Sequence, residues 1–406
     1  MGYIINIIRE ETRDLKQKGW ILLYGRRKTG KTYLLRNLYH PDVYILVKRD
    51  GSLWSEDITV DMTTISDKIR NLLDQNKIVV IDEFQRLSES ILEEIVLSHP
   101  RGKLILSGSS LRVVHKIFSP SSTLLGFFSP LKLSLIPPRD IITSLSKKFN
   151  PELTIELSTF LRDPWLIPFY SNEKIERFLY RITTNLQATI ISLIGEIFTE
   201  EEREITNVYE ALLSLIGSGV FKNKELASIL YSRNVISEPS SSHINQYIKN
   251  MEEMDLIEGC RLYGSKMRFN RLKSPIMNIY YYLDDKYNIS ERCAGFNEVK
   301  PTLNKLINSE IQNFCADIFA EFYNGRKEYF LSPDKEIDFI ITKRNKPVCV
   351  GEVKWGEVKE NDVKKFEKNV REFNCDKVLV GKNIDLEHPE ITLYDPGDII
   401  ELVKKH

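Results

Sequence analysis

Short β-branched runs alternate with helix-period segments along the first 140 residues. The runs at 20–24, 44–48, 78–81 and 103–107 are almost continuously apolar, as strands covered on both faces must be. Between them, 32–38 and 64–73 repeat apolar residues at helical spacing. Strand alternating with helix predicts a parallel α/β sheet. Pro130, Pro137 and Pro138 then break the alternation. From about residue 140 to 282 the pattern is nearly all helical, interrupted by a Ser/Pro turn at 236–242. From about residue 301 a helix leads into three further strands, a second α/β segment.

Two features of the first segment carry chemistry. Gly25-Arg-Arg-Lys-Thr-Gly30-Lys31-Thr32 has the G-x-x-x-x-G-K-[ST] spacing, between the strand ILLY and the helix YLLRNL. Glycines let backbone N–H groups turn inward onto phosphate, and the next helix presents its positive end to the same charge. Lys31 then reaches the β/γ-phosphates, the Thr32 hydroxyl ligates Mg²⁺, and Tyr33 joins Gly25, Gly30, Lys31 and Thr32 in the nucleotide site. The run 78–81 ends in Asp82-Glu83. Such a strand beside the loop strand brings Asp82 to the metal and Glu83 to an attacking water. A third run ends in Ser107-Gly108-Ser109-Ser110, where Ser109 is positioned to sense the γ-phosphate.

The loop together with "VVIDEFQRL" and "LILSGSS" resembles the archaeal ATPase family, a branch of the AAA/STAND-like P-loop ATPases. The resemblance implies an ATPase using ATP and Mg²⁺. That family often follows the sensor strand with Gly-Arg, whereas here Phe127 follows Gly126. Arg139 and Arg162 are the next candidates for an arginine at the γ-phosphate.

Residues 207–269 read as a winged helix-turn-helix, with helices at 208–216, 224–231 and 241–254 and a hairpin turning at Gly264. The stretch 261–273 contains Arg261, Lys266, Arg268, Arg271 and Lys273 and no acidic residue. A basic wing suits phosphate contact with DNA, while Glu252 and Glu253 on the third helix weigh against deep groove entry. The alternative is a module that packs on the nucleotide domain.

In the last segment Glu352 and Lys354 lie two apart on one strand and share a face. Asp338, on the hairpin partner, joins them. Two carboxylates and a lysine suit metal-dependent phosphodiester cleavage. Asp338 and Glu352 hold Mg²⁺ or Mn²⁺, and Lys354 orients the nucleophile or offsets charge. The αβββαβ order resembles the PD-(D/E)xK nuclease superfamily and the nuclease-like domain that accompanies archaeal ATPase domains. That resemblance implies Glu310 as a helical acid of the same metal site.

Composition narrows the classes. The 57 basic and 57 acidic residues cancel, so nucleic-acid binding needs a local patch rather than a global field. No apolar run reaches the roughly 18 residues of a membrane span. The acidic N-terminus does not read as a signal peptide. Cys260, Cys293, Cys315, Cys349 and Cys375 form no CxxC pair, consistent with reduced thiols and a cytoplasmic location.

The expected architecture is α/β throughout its two ends. It comprises a P-loop parallel-sheet ATPase domain (1–139), a helical lid (140–204), a winged helix-turn-helix (205–290) and a restriction-endonuclease-like domain (291–406). The expected function is ATP binding coupled to DNA binding and metal-dependent cleavage. The alternatives are a signalling switch and a DNA-binding regulator, each with an inactive nuclease-like domain. The oligomeric state stays open.

Overall fold

The computed structural model describes residues 5–17, 19–98, 101–201, 206–292, 294–332 and 335–405; Cys293, read above as a thiol, lies outside them. The chain divides into two compact units. One comprises Ile8–Leu135 with Leu193–Glu204; the other comprises Met1–Ile7, Ile136–Ser192 and Ile205–His406.

The first unit is built on a sheet of β1 (Trp20–Tyr24), β2 (Val43–Val47), β3 (Leu53–Trp54), β4 (Ile78–Asp82), β5 (Lys103–Gly108) and β6 (Phe128–Lys132), in the order β3-β2-β4-β5-β1-β6. β3 is antiparallel to β2, and the other pairings are parallel. Both faces are covered, as the continuous apolar runs require. On β1, Leu22 packs with Ile45, Ile81 and Leu106 on one face, while Ile21 and Leu23 pack with Leu34, Leu35 and Ile105 on the other. Each fully buried aliphatic side chain contributes roughly 2 kcal/mol.

Pro130, read as a break, lies inside β6 and pairs in register with Leu22. β6 is the sheet edge, where a missing N–H can face away from the ladder at no cost. The helix after the phosphate loop also departs from a regular α-helix. It opens as Lys31–Tyr33 and widens into a π-helix over Leu34–Tyr39.

The second unit begins with helices, among them Pro138–Leu145, Pro151–Leu161 and Ile175–Asn185. The helices Asn207–Gly217, Asn223–Ser232 and Ser241–Glu253 follow. A mixed sheet completes the unit: β7 (Ile257–Leu262), β8 (Arg268–Leu272), β9 (Arg326–Tyr329), β10 (Phe339–Lys343), β11 (Lys346–Glu357), β12 (Asp376–Asn383) and β13 (Thr392–Tyr394). The order is β13-β12-β11-β10-β9-β7-β8. The β7–β8 hairpin is therefore no isolated wing. Arg261 and Leu262 of β7 pair in parallel with Glu328 and Tyr329 of β9, so one sheet runs across residue 290. The long helix Phe296–Phe322 packs against β9, β10 and β11, and the helix Glu360–Val370 joins β11 to its parallel neighbour β12. No helix among the described residues is long and apolar enough to cross a membrane.

Candidate functional site

β1 ends at Tyr24, and the loop that follows turns at two glycines. Gly25 has φ +154°, and a Cβ there would fall 1.9 Å from the Leu133 carbonyl oxygen, so only glycine fits. Gly30 has φ +93°, left-handed, and leads into the helix at Lys31. The Lys31 ammonium is buried and donates to the Gly25 and Arg26 carbonyls at 2.7 and 3.0 Å. Lys31 is thereby folded back across the mouth of its own loop. Arg9, which sequence reasoning missed, lies buried beneath it. Its guanidinium donates to the Thr29 carbonyl at 3.0 Å and the Ser134 carbonyl at 3.2 Å, and pairs with Glu11.

β4 lies next but one to β1, with β5 between them, so the end of β4 faces the loop. There the Thr32 hydroxyl donates to Asp82 Oδ2 at 2.7 Å. The Tyr44 hydroxyl, on β2, donates to the same oxygen at 2.6 Å. Burial and then the Asp82 charge raise the Tyr44 pKa, which keeps the phenol protonated and donating. Asp82 itself is fully buried, in register with Ser107 of β5. Thr32 and Asp82 thus converge, and Tyr44, which the motifs do not name, joins them.

Glu83 takes φ +58°, a left-handed turn immediately after the strand. Its carboxylate does not stand open to solvent. Arg86 pairs with Oε2 at 3.0 Å while donating to the Val47 carbonyl at 2.7 Å, and the Gln85 amide donates to Oε2 at 2.9 Å. The Gln85 amide also reaches the Ser109 hydroxyl at 3.4 Å. Arg162, one of the arginines considered for the γ-phosphate, belongs to the second unit and donates to Asp317 at 2.5 Å.

In the second unit, Asp338 stands just before β10 and Glu352 on β11. The Asp338 N–H donates to the Gly351 carbonyl at 3.0 Å, and Asp338 Oδ2 accepts the Val353 N–H at 2.7 Å. The aspartate is thereby strapped around the residue that carries Glu352. Burial pushes the Asp338 carboxyl up to about 6. Burial, and next the Asp338 charge, pushes Glu352 up to about 7. Glu352 Oε2 is buried and has no hydrogen-bond partner among the described residues. Two crowded carboxylates with an open oxygen fit a divalent cation, which would relieve both the repulsion and the missing partner.

Glu310 and Lys354 do not complete this site. Glu310 points to the hairpin, where Arg271 donates to it at 2.5 Å with both side chains largely buried. Burial pushes the Glu310 carboxyl up, and the Arg271 guanidinium opposes that shift. The face of the helix that meets β11 carries Gln312 instead, whose amide donates to the Val353 carbonyl at 3.2 Å. Residues two apart on a helix point roughly 200° apart, so a helical acid at 310 cannot share the face of 312. Lys354 is ion-paired with Asp362 at the start of the following helix. Among the described residues no group of three or more His, Cys, Asp or Glu is arranged to hold a metal.

The four arginines and lysines expected at DNA divide in the same way. Arg261, Lys266 and Arg268 are exposed on the hairpin. Arg271 is buried against Glu310 and is unavailable to a phosphate.

Residues 17–126 match the family model described as an AAA domain. No curated protein matches the chain. Among solved structures, the ORC2 protein of Aeropyrum pernix in its ADPNP–ADP complexes has a TM-score of 0.39 at 13% identity, covering 77% of this chain and 97% of that one. The Aeropyrum pernix ORC1 protein in complex with DNA has a TM-score of 0.28 at 13% identity, covering 71% and 96%. The Cdc6p protein of Pyrobaculum aerophilum has a TM-score of 0.26 at 13% identity, covering 72% and 88%. With its glycine loop, acidic strand end and parallel sheet, the segment 17–126 is a P-loop domain of the AAA class, followed in this chain by a helical region and a second, mixed sheet.

Proposed function

We propose that this chain is an Mg²⁺-dependent ATPase whose nucleotide state governs the action of its C-terminal half on nucleic acid. The observation that carries the first part is the convergence of Thr32 and Tyr44 on one oxygen of Asp82, beside a lysine folded over a glycine loop. Mg²⁺ held at Thr32 and Asp82 would supply charge neutralisation across the β- and γ-phosphates. The backbone N–H groups of residues 25–32 cradle the phosphates, and Lys31 exchanges its two carbonyl partners for β- and γ-oxygens. In hydrolysis the water oxygen bonds to the γ-phosphorus, and the bond from that phosphorus to the β–γ bridging oxygen breaks. ADP leaves with the bridging oxygen, and Glu83 accepts the water's proton. Ser109 faces the γ-phosphate from the end of β5. Nucleotide binding and phosphate release by wild type and Lys31→Ala test this reading. Binding retained in Lys31→Ala would reject the site.

A second reading concerns residues 291–406, as the nuclease-like part of the four segments 1–139, 140–204, 205–290 and 291–406. We propose metal-dependent phosphodiester cleavage there, supported by the paired Asp338 and Glu352 carboxylates and the partnerless Glu352 Oε2. These two residues would hold Mg²⁺ or Mn²⁺, whose chemistry is to activate water and steady the leaving oxygen. Lys354 would leave Asp362 to meet the phosphate. The test is cleavage of labelled single- and double-stranded DNA with either ion, with and without ATP, by wild type, Glu352→Ala and Lys31→Ala. Loss in Glu352→Ala supports cleavage, and a change in Lys31→Ala shows nucleotide control. No cleavage by a chain that still binds ATP would leave a nucleotide-dependent switch with a docking domain.

A further inference from the structure

We infer that Gln85 orients the attacking water in ATP hydrolysis, through a buried amide oxygen that lies against Gly108 at the end of β5, beside the start of the phosphate loop; this rests on the ATPase reading above.

The amide's orientation follows from its neighbours. Nε2 lies 2.9 Å from a Glu83 carboxylate oxygen, which can only accept, and 3.4 Å from the Ser109 hydroxyl. The nitrogen must therefore face those two groups, and Oε1 must face the other way. Oε1 is buried and has no hydrogen-bond partner among the described residues. An acceptor left so is disfavoured unless something donates to it.

The space into which it points is made by the sequence. Oε1 lies against Gly108, where a Cβ would come within 2.5 Å of it. Gly108 pairs in register with Tyr24, the last residue before the phosphate loop. Its predecessor Ser107 is in register with Asp82 and also has a buried hydroxyl without a partner among the described residues. The left-handed Glu83 turns the chain after β4, and the single helical turn Phe84–Arg86 returns Gln85 to the end of β5.

The Gln85 carbonyl lacks a donor among the described residues and the Glu83 carboxylate is the proposed base, so one molecule that donates twice would serve both. Water does so and keeps a lone pair for phosphorus. One O–H donates to Glu83, which takes that proton as the oxygen bonds to the γ-phosphorus. The other O–H donates to Gln85 Oε1 and its proton stays on the phosphate formed. The same amide connects Ser109, at the γ-phosphate, to Glu83. Gln85 moves no proton; it fixes where the water stands and ties its presence to the sensor serine.

The test measures ATP hydrolysis and nucleotide affinity together for wild type, Gln85→Ala, Gly108→Ala and Ser109→Ala. Gln85→Ala is expected to lower kcat by up to about 100-fold, the cost of misplacing a reacting group by about 1 Å, with Kd for ATP close to that of wild type. Gly108→Ala, which displaces Oε1 without removing the amide, should reproduce that pattern. Adding Gln85→Ala to it should lower kcat little further. If Gly108→Ala fails to fold, the Gln85→Ala and Ser109→Ala pair supplies the same comparison. A Gln85→Ala kcat close to wild type, or a loss of affinity that accounts for the whole loss of kcat/KM, would overturn the inference and leave the ATPase reading standing. A wild type that binds ATP and never hydrolyses it overturns both.

Discussion

Tyr44 and Asp82 share a 2.6 Å hydrogen bond, on the same carboxylate oxygen that Thr32 reaches at 2.7 Å. One oxygen with two hydroxyl donors is fixed in direction, and the other is left for a different role. Oδ1 accepts the Glu83 N–H at 3.1 Å, which ties the carboxylate to the left-handed turn. Tyr44 is further enclosed by Arg36, whose guanidinium lies 5.4 Å from the Tyr44 ring and 5.2 Å from that of Trp54. The Asp82 carboxylate is thus held by residues of three elements.

From this follows the expected behaviour of Tyr44→Phe. The ring stays and the donor goes, so Asp82 loses one restraint. A hydrogen bond to a charged group is worth about 1.5–3 kcal/mol, and about 1.4 kcal/mol is tenfold in affinity. ATP affinity in Mg²⁺ is expected to fall about tenfold, with affinity in chelator unchanged. Titration of a fluorescent nucleotide with and without Mg²⁺ checks this, and equal losses in both conditions would remove the metal-side role of Tyr44.

Arg271 and Glu310 yield a stability prediction. Both are largely buried and paired at 2.5 Å, so Arg271→Met leaves a carboxylate in the interior with its partner gone. Removing one member of such a pair costs about 3–5 kcal/mol. The double variant Arg271→Met with Glu310→Leu should recover most of that loss, since packed apolar groups can replace a buried ion pair. Urea midpoints of the four proteins, wild type, Arg271→Met, Glu310→Leu and the double variant, measure the cycle. Losses that simply add would show that the two side chains act independently.

The loop Gly25–Thr32 and the Asp82–Glu83 strand end were legible because their signal is local: a fixed spacing between a strand and a helix. Tyr44, Arg9, Gln85 and Gln312 were not, because each acts through tertiary register. Tyr44 lies opposite Val80 and reaches Asp82 only by the length of its side chain. Gln312 faces β11 only because of the rotation of one long helix, the same rotation that carries Glu310 to the hairpin. Pro130 misled for a related reason. Whether a proline breaks a strand depends on whether that strand is an edge, which is a property of the sheet.

The hairpin divides into residues that can meet a phosphate and one that cannot. Arg268 has 58% of its side chain exposed, against 17% for Arg271. If duplex DNA binds here, Lys266→Ala and Arg268→Ala should each weaken binding and reduce the slope of log affinity against log salt by about 1. Fluorescence anisotropy between low and moderate salt reads both quantities. An unchanged slope in the double variant would place any DNA contact elsewhere on the chain.

Asp338 and Glu352 make stability depend on pH in a direction opposite to ordinary carboxylates. Their ordinary values are 3.8 and 4.5; burial, with a smaller push from Glu336, raises Asp338 to about 6, and burial, then the Asp338 charge, raises Glu352 to about 7 in the folded protein. Between the ordinary and the raised values the folded state binds more protons than the unfolded one. Stability therefore falls as pH rises from about 4 to about 7, and the loss is complete above the raised values. Glu352→Gln removes the group whose value is pushed up to about 7, so its thermal midpoint should decline less over that window than that of wild type. Mg²⁺ or Mn²⁺ binding the ionised pair should raise the wild-type midpoint above pH 7 and leave Glu352→Gln little changed. Scanning calorimetry across pH 4.5–8 with each ion, and with chelator, separates the two effects. Parallel pH profiles for both proteins would show that Glu352 does not carry the pH dependence. A metal response that survives Glu352→Gln would assign the ion to a different site.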